Sequence, residues 1–123
     1  MRINIKATNT SLTPAISDYV NKKIGALEKF LENNDAARGD VEIEVTNKHH
    51  NAGQDLFRAE VNLHAGDLHL RAEASHADLY AAIDIVKDEI TREVVSKKKK
   101  RLHAFRRGGQ KIKNILKGFY QRD

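Results

Sequence analysis

The stretch Phe57-Arg58-Ala59-Glu60-Val61-Asn62-Leu63-His64-Ala65-Gly66-Asp67-Leu68-His69-Leu70-Arg71-Ala72-Glu73-Ala74 alternates apolar and polar side chains on both sides of one glycine. A period of two puts Phe57, Ala59, Val61 and Leu63 on one face of a strand, and Leu68, Leu70, Ala72 and Ala74 on the matching face of its neighbour. Gly66-Asp67 suits a two-residue hairpin turn, because type II′ needs a positive φ at its first central position and glycine supplies it without strain. That turn sets the register: Val61 faces Ala72, Leu63 faces Leu70, and His64 faces His69 on the other side. Each strand is apolar on one side only, so something must cover that side.

Working outward, Val41, Ile43 and Val45 alternate with Glu42, Glu44 and Thr46, and Ile3, Ile5 and Ala7 alternate with Arg2, Asn4 and Lys6. These predict two further strands, the first over residues 2–7, with the polar stretch Lys48–Gln54 as a loop. Leu12-Thr13-Pro14-Ala15-Ile16 opens a helix, since Thr13 can cap it and Pro14 suits its first position. Ile16, Val20, Ile24, Leu27 and Leu31 recur at helical spacing, predicting a helix to about residue 32 that Asn33-Asn34-Asp35 ends. Ser75-His76-Ala77-Asp78 has capping-box spacing ahead of a second stripe, Leu79, Ile83, Val86, Ile90 and Val94. Beyond Val95 the stripe fails. The helix is expected to run on through Leu102 and Phe105 until Gly108-Gly109 breaks it, with a short amphipathic helix over 110–121 carrying Ile112, Ile115, Leu116 and Phe119. The fold is α+β, in the order β-α-β-β-β-α: a four-stranded sheet with two helices packed on one face and a basic C-terminal helical extension. The body is read as residues 1–103 and the extension as 104–123.

Charge is unevenly placed along the 123 residues. Residues 1–86 carry nine Lys/Arg against thirteen Asp/Glu, and residues 87–123 carry thirteen against four. The overall net charge of +5 thus belongs to one end, which points to a polyanionic partner there or to a solvated basic tail. Cysteine is absent, which excludes disulfides, thiolate metal sites and a cysteine nucleophile. The opening Met1-Arg2-Ile3-Asn4-Ile5-Lys6 has no apolar run of the signal-peptide kind, and no stretch suits a membrane span, so a cytoplasmic protein is expected.

Lys97-Lys98-Lys99-Lys100-Arg101 makes a helix basic all round, which suits insertion between nucleic-acid strands. Arg106 and Arg107 add planar donors for phosphate, Lys111, Lys113 and Lys117 continue the series, and Leu102, Phe105, Phe119 and Tyr120 are interleaved apolar groups. Lys22, Lys23 and Lys29 lie off the first helix's apolar stripe. His64 and His69, with His49-His50 nearby in sequence, offer at most a two-ligand start, so no metal site and no cofactor is expected. The glutamates of the polar sheet face stay ionised and are poorly placed for acid–base work, and neither a phosphate-cradling glycine loop nor a nucleophile elbow is present. Neither an enzyme nor a small-molecule substrate is expected.

Leu12-Thr13-Pro14-Ala15-Ile16, Leu27-Glu28-Lys29-Phe30 and above all Asp78-Leu79-Tyr80-Ala81-Ala82-Ile83-Asp84, followed by Arg92 and Lys98, resemble the hibernation-promoting factor and ribosome-associated inhibitor family over about residues 1–100. The resemblance implies two parallel helices that bind ribosomal RNA in the decoding region of the small subunit. Occupying that channel would exclude messenger and transfer RNA during stress or stationary phase. It assigns RNA contact to Lys23, Lys29, Tyr80, Asp84, Arg92 and Lys98. Charge alone adds Lys22, Lys87, Lys97, Lys99, Lys100, Arg101, Arg106, Arg107, Lys111 and Lys113. Ala26, Glu89 and Ser96 stand where the family usually or often has lysine, a gap that the basic run and tail would fill. The tail is basic, unlike the acidic tail of the ribosome-associated inhibitor branch, and too short for the separate dimerisation domain of long hibernation factors, so a short form, a monomer when free, is expected. Two other classes remain: a general structured-RNA module, and a membrane-surface or protein-interaction module using the tail.

Overall fold

The computed structural model describes residues 1–31, 34–46 and 56–120, without the side chains of Asn34, Phe105 and 107–120. The expected loop Lys48–Gln54 and the Asn33 of the expected helix stop fall outside the described residues. The elements are β1 (Arg2–Thr8), α1 (Pro14–Gly25), β2 (Arg38–Thr46), β3 (Leu56–Ala65), β4 (Leu68–His76) and α2 (Leu79–Tyr120), with 3-10 turns at Ala26–Phe30 and Asn34–Ala36.

The sheet order is β1-β2-β3-β4, with β1 parallel to β2 and the other pairs antiparallel. The crossover through α1 returns the chain to the end of the sheet where β1 began, which is what a parallel β1–β2 pair requires. Gly66 has φ 59° and Asp67 keeps a negative φ, as type II′ demands, and the register places Val61 on Ala72, Leu63 on Leu70 and His64 on His69. Both helices cover the same sheet face. Val20, Ile24 and Leu27 come from one side, and Leu79, Ile83, Val86, Ile90 and Val94 from the other; together they bury Ile43, Val61, Leu63 and Leu70 beneath them. Full burial of each such side chain stabilises the fold by about 1.5–3 kcal/mol.

Three local expectations are corrected. The first helix does not run to residue 32: its α-helical part ends at Gly25, tightens into the 3-10 turn, and leaves Leu31 extended at φ −104°, ψ 139°. Gly25 and Ala26 keep right-handed helical dihedrals, and the tighter turn still buries Leu27. Ser75 is no cap, because β4 keeps it paired opposite Arg58; the cap is Asp78, whose Oδ1 accepts from the Tyr80 amide at 3.0 Å. By contrast Thr13 caps α1 as expected, its Oγ1 accepting from the Ile16 amide at 3.2 Å. Gly108-Gly109 does not break the second helix, which is continuous from Leu79 to Tyr120. Each glycine costs about 1 kcal/mol relative to alanine but leaves the helical conformation open, and the flanking Lys, Arg, Gln, Ile and Leu accept it readily.

Candidate nucleic-acid interface

The two faces of the sheet carry opposite electrostatic designs. On the open face Glu42, Glu60 and Glu73 stand in one cross-strand row, an arrangement that repels itself unless cations intervene. Arg58 intervenes: its guanidinium pairs with Glu42, with Glu44 at 3.2 Å, with Glu60 at 3.2 Å and with Glu73 at 3.1 Å. Arg71 closes the row from the next strand, 2.6 Å from Glu60 and 3.1 Å from Glu73. Hydrogen bonds from Arg71 and Arg58 hold the Glu60 carboxyl below the usual carboxylate range. Arg38 pairs with Asp40 at 3.1 Å, and Lys6 with Glu42 at 3.9 Å. His64 and His69 stack at 4.2 Å between ring centroids. Five Lys/Arg and five Asp/Glu share this face, so it presents no net charge to attract a polyanion.

The helix layer is different. Tyr19 of α1 donates its hydroxyl to Asp84 Oδ1 of α2 at 2.6 Å, and its ring meets the Tyr80 ring edge-on at 4.8 Å and 89°. That hydrogen bond, with burial, pushes the phenol up to about 12, so Tyr19 donates at any physiological pH. Lys23 Nζ lies 3.6 Å from Asp84 and 5.5 Å from the centre of the Tyr19 ring. At the other end Phe30 and Leu31 border the same groove as Val94, Lys97 and Lys98. Contacts that run from Tyr19–Tyr80 to Phe30–Val94 mean that the two helices point the same way.

Among the described residues, Lys22, Lys29, Lys87, Arg92, Lys97, Lys98, Lys99, Lys100, Arg101 and Arg106 make no ion pair. Lys22, Lys29, Arg92, Lys97 to Arg101 and Arg106 are exposed, and Lys87 is half-buried. Arg107, Lys111 and Lys113 lie on the backbone of α2 with side chains outside the described set, as do Phe105, Phe119 and Tyr120. Val94 is the last buried side chain of α2 among those described. Asp84, read from the sequence as an RNA contact, spends its carboxylate on Tyr19 and Lys23. Sequence reasoning misses Tyr19, although its place one turn before Lys23, at the edge of the apolar stripe, is a usable signal. Among the described residues no group of three His, Asp or Glu side chains gathers to hold a metal ion, and no helix is long and apolar enough to cross a membrane.

Residues 3–102 match the family model described as Sigma 54 modulation protein / S30EA ribosomal protein. The chain belongs to this family. The S30EA-type chain is 33% identical over 109 residues to the ribosome hibernation promotion factor of Bacillus subtilis, and spans 89% of its own length but 54% of that relative's. It is 29% identical over 111 residues to the ribosome hibernation promoting factor of Azotobacter vinelandii, covering 90% of this chain and 94% of that one. The crystal structure of the Thermus thermophilus Protein Y N-terminal domain superposes with a TM-score of 0.65 at 30% identity, over 76% of this chain and 96% of that one. The S30EA family resemblance read from Asp78–Asp84 and the order of elements is thereby shown, and so is the α+β fold.

Proposed function

We propose that this chain is a ribosome-binding hibernation factor that lays its helix layer on ribosomal RNA of the small subunit, in the decoding region and messenger channel, and so inhibits translation under stress or stationary phase. The observation that carries the reading is the split between faces: the open sheet face carries equal numbers of the two charges, most of them in ion pairs, while the helix layer leaves ten cations without a carboxylate partner among the described residues. Unpaired Lys and Arg release condensed counterions when they meet phosphates, so the helix layer gains most from RNA. The names of the Bacillus and Azotobacter relatives support ribosome hibernation as the setting.

In this reading Lys22, Lys23, Lys29, Lys87, Arg92, Lys97 to Arg101 and Arg106 meet phosphate, with Arg107, Lys111 and Lys113 continuing along α2. Tyr80 stands at the surface beside them, 38% exposed. Asp84 is a positioning residue, since a carboxylate repels phosphate; it holds Tyr19 and Lys23 in place. Residues 1–103 form the RNA-binding body and 104–123 a basic arm, and no catalytic step is assigned to either.

Co-sedimentation with purified small subunits at physiological ionic strength tests this. The chain should pellet with the subunits and be displaced by messenger RNA. A chain that stays in the supernatant, or that pellets undisturbed by saturating messenger, refutes the channel assignment. A general structured-RNA module would bind an unrelated RNA duplex as tightly as it binds the subunit.

A further inference from the structure

A groove of about 550 Å³ opens where the 3-10 turn after α1, the β3–β4 turn and α2 converge. Phe30 and Leu68 supply apolar lining, Leu102 lies at it with 47% of its surface exposed, and Lys97, Lys98 and Arg101 of α2 border the same space. Lys29 adds a further cation, its ammonium 5.2 Å from the centre of the Phe30 ring. The size falls among small-ligand sites, which run from about 300 to 1,000 Å³. A recess that combines apolar side chains with cations that make no ion pair among the described residues complements a flat apolar body joined to an anion. A nucleotide has that build: a base with a π-face, and a phosphate a few bonds away.

We propose that this groove takes one unpaired nucleotide of the bound RNA, its base against Phe30, Leu68 and Leu102 and its phosphate on Lys97, Lys98 and Arg101. The inference rests on the RNA-binding reading above and deepens it. The cations at the groove are the ones that begin the basic run of α2, so a strand tracking that run passes the opening. Duplex RNA hides its bases in the stack and has only phosphates to offer here. The groove therefore adds a preference for a splayed, single-stranded position that the rest of the helix layer, reading phosphates, does not have. Asp67 on the turn opposite α2 disfavours an anion on that side, which orients the phosphate towards the lysines.

The chain contains no tryptophan, so Leu102→Trp places a lone indole at the groove. Its emission should be quenched by a nine-nucleotide unstructured RNA. An abasic oligomer of equal length and charge should leave it unchanged, as should an RNA duplex that binds by anisotropy. Leu102→Gln, at a position outside the core, should weaken the single-stranded oligomer about tenfold, the size expected for no longer covering a half-exposed leucine side chain, and leave the duplex unaffected. Equal quenching by the abasic oligomer or the duplex overturns the proposal. So does equal quenching by free guanosine monophosphate at the same concentration, which would mark a free-nucleotide site. An emission shift on raising protein concentration alone also overturns it, because a second copy would then fill the groove. If small subunits and duplex bind but the single strand leaves the indole untouched, only this inference fails; if no RNA and no subunit binds, the parent reading fails with it.

Discussion

Replacing Tyr19 by phenylalanine removes one oxygen and with it the hydrogen bond that fastens α1 to α2. A hydrogen bond to a charged acceptor stabilises by about 1.5–3 kcal/mol when water is excluded. Here the Asp84 side chain is 44% exposed and that of Lys23 35%, so water competes for the carboxylate. About 1 kcal/mol is the reasonable expectation, equivalent to roughly 3–6 °C in Tm for a domain of this size. Urea unfolding of the wild type, Tyr19→Phe, Asp84→Ala and the double variant isolates the pair, and the cycle should return a coupling of about 1 kcal/mol. The phenol adds a pH signature. Its folded value of about 12 lies above the ordinary value of 10, so the native state holds the proton more tightly than the unfolded chain. The associated stability is fully present below pH 10 and is lost as pH rises towards 12, a loss that Tyr19→Phe should lack. A coupling below about 0.3 kcal/mol, within the scatter of non-interacting sites, refutes the idea that this bond sets the helix pair.

Changing Lys97–Arg101 to alanine should weaken small-subunit binding and flatten the slope of log affinity against log salt by about 0.7–0.9 for each phosphate no longer neutralised; an unchanged slope counts against phosphate binding there. Truncation after His103 should preserve cooperative thermal unfolding, because the last buried side chain described on α2 is Val94, and a midpoint that collapses would place the extension in the core. Glu60→Gln should reduce the acid sensitivity of folding. The Glu60 carboxyl is held low by Arg71 and Arg58, so its contribution is present above the ordinary glutamate range near pH 4 and is lost as pH falls through the lower folded value. Equal steepness of unfolding between about pH 5 and 3 in wild type and variant would contradict it.

The alternation around Gly66-Asp67 made the sheet legible because a period of two admits one register once one face must be buried. The stripes from Ile16 to Leu27 and from Leu79 to Val94 made both helices legible in the same way. Element ends were harder. Ser75 and Asp78 both had capping chemistry, and strand pairing of Ser75 with Arg58 decided between them. The glycine pair looked like a stop because glycine is costly in helices, yet the cost is too small to overrule good flanks. The basic run could be read directly, since a block of like charge is visible in composition. The Tyr19–Asp84 bond joins residues 65 positions apart, and the groove at Leu102 gathers three elements, so only the fold brings either together.

If the helix layer, and not the sheet, meets the RNA, probes on the two faces must cut it unequally. The chain has no cysteine, so single thiols can be placed at Ser96→Cys on α2 and Ser75→Cys on the open sheet face, both exposed, and each tethered to a radical-generating iron chelate. On small subunits the Ser96 probe should cut ribosomal RNA strongly and the Ser75 probe weakly. Stronger cutting from Ser75 would reverse the orientation and contradict the account.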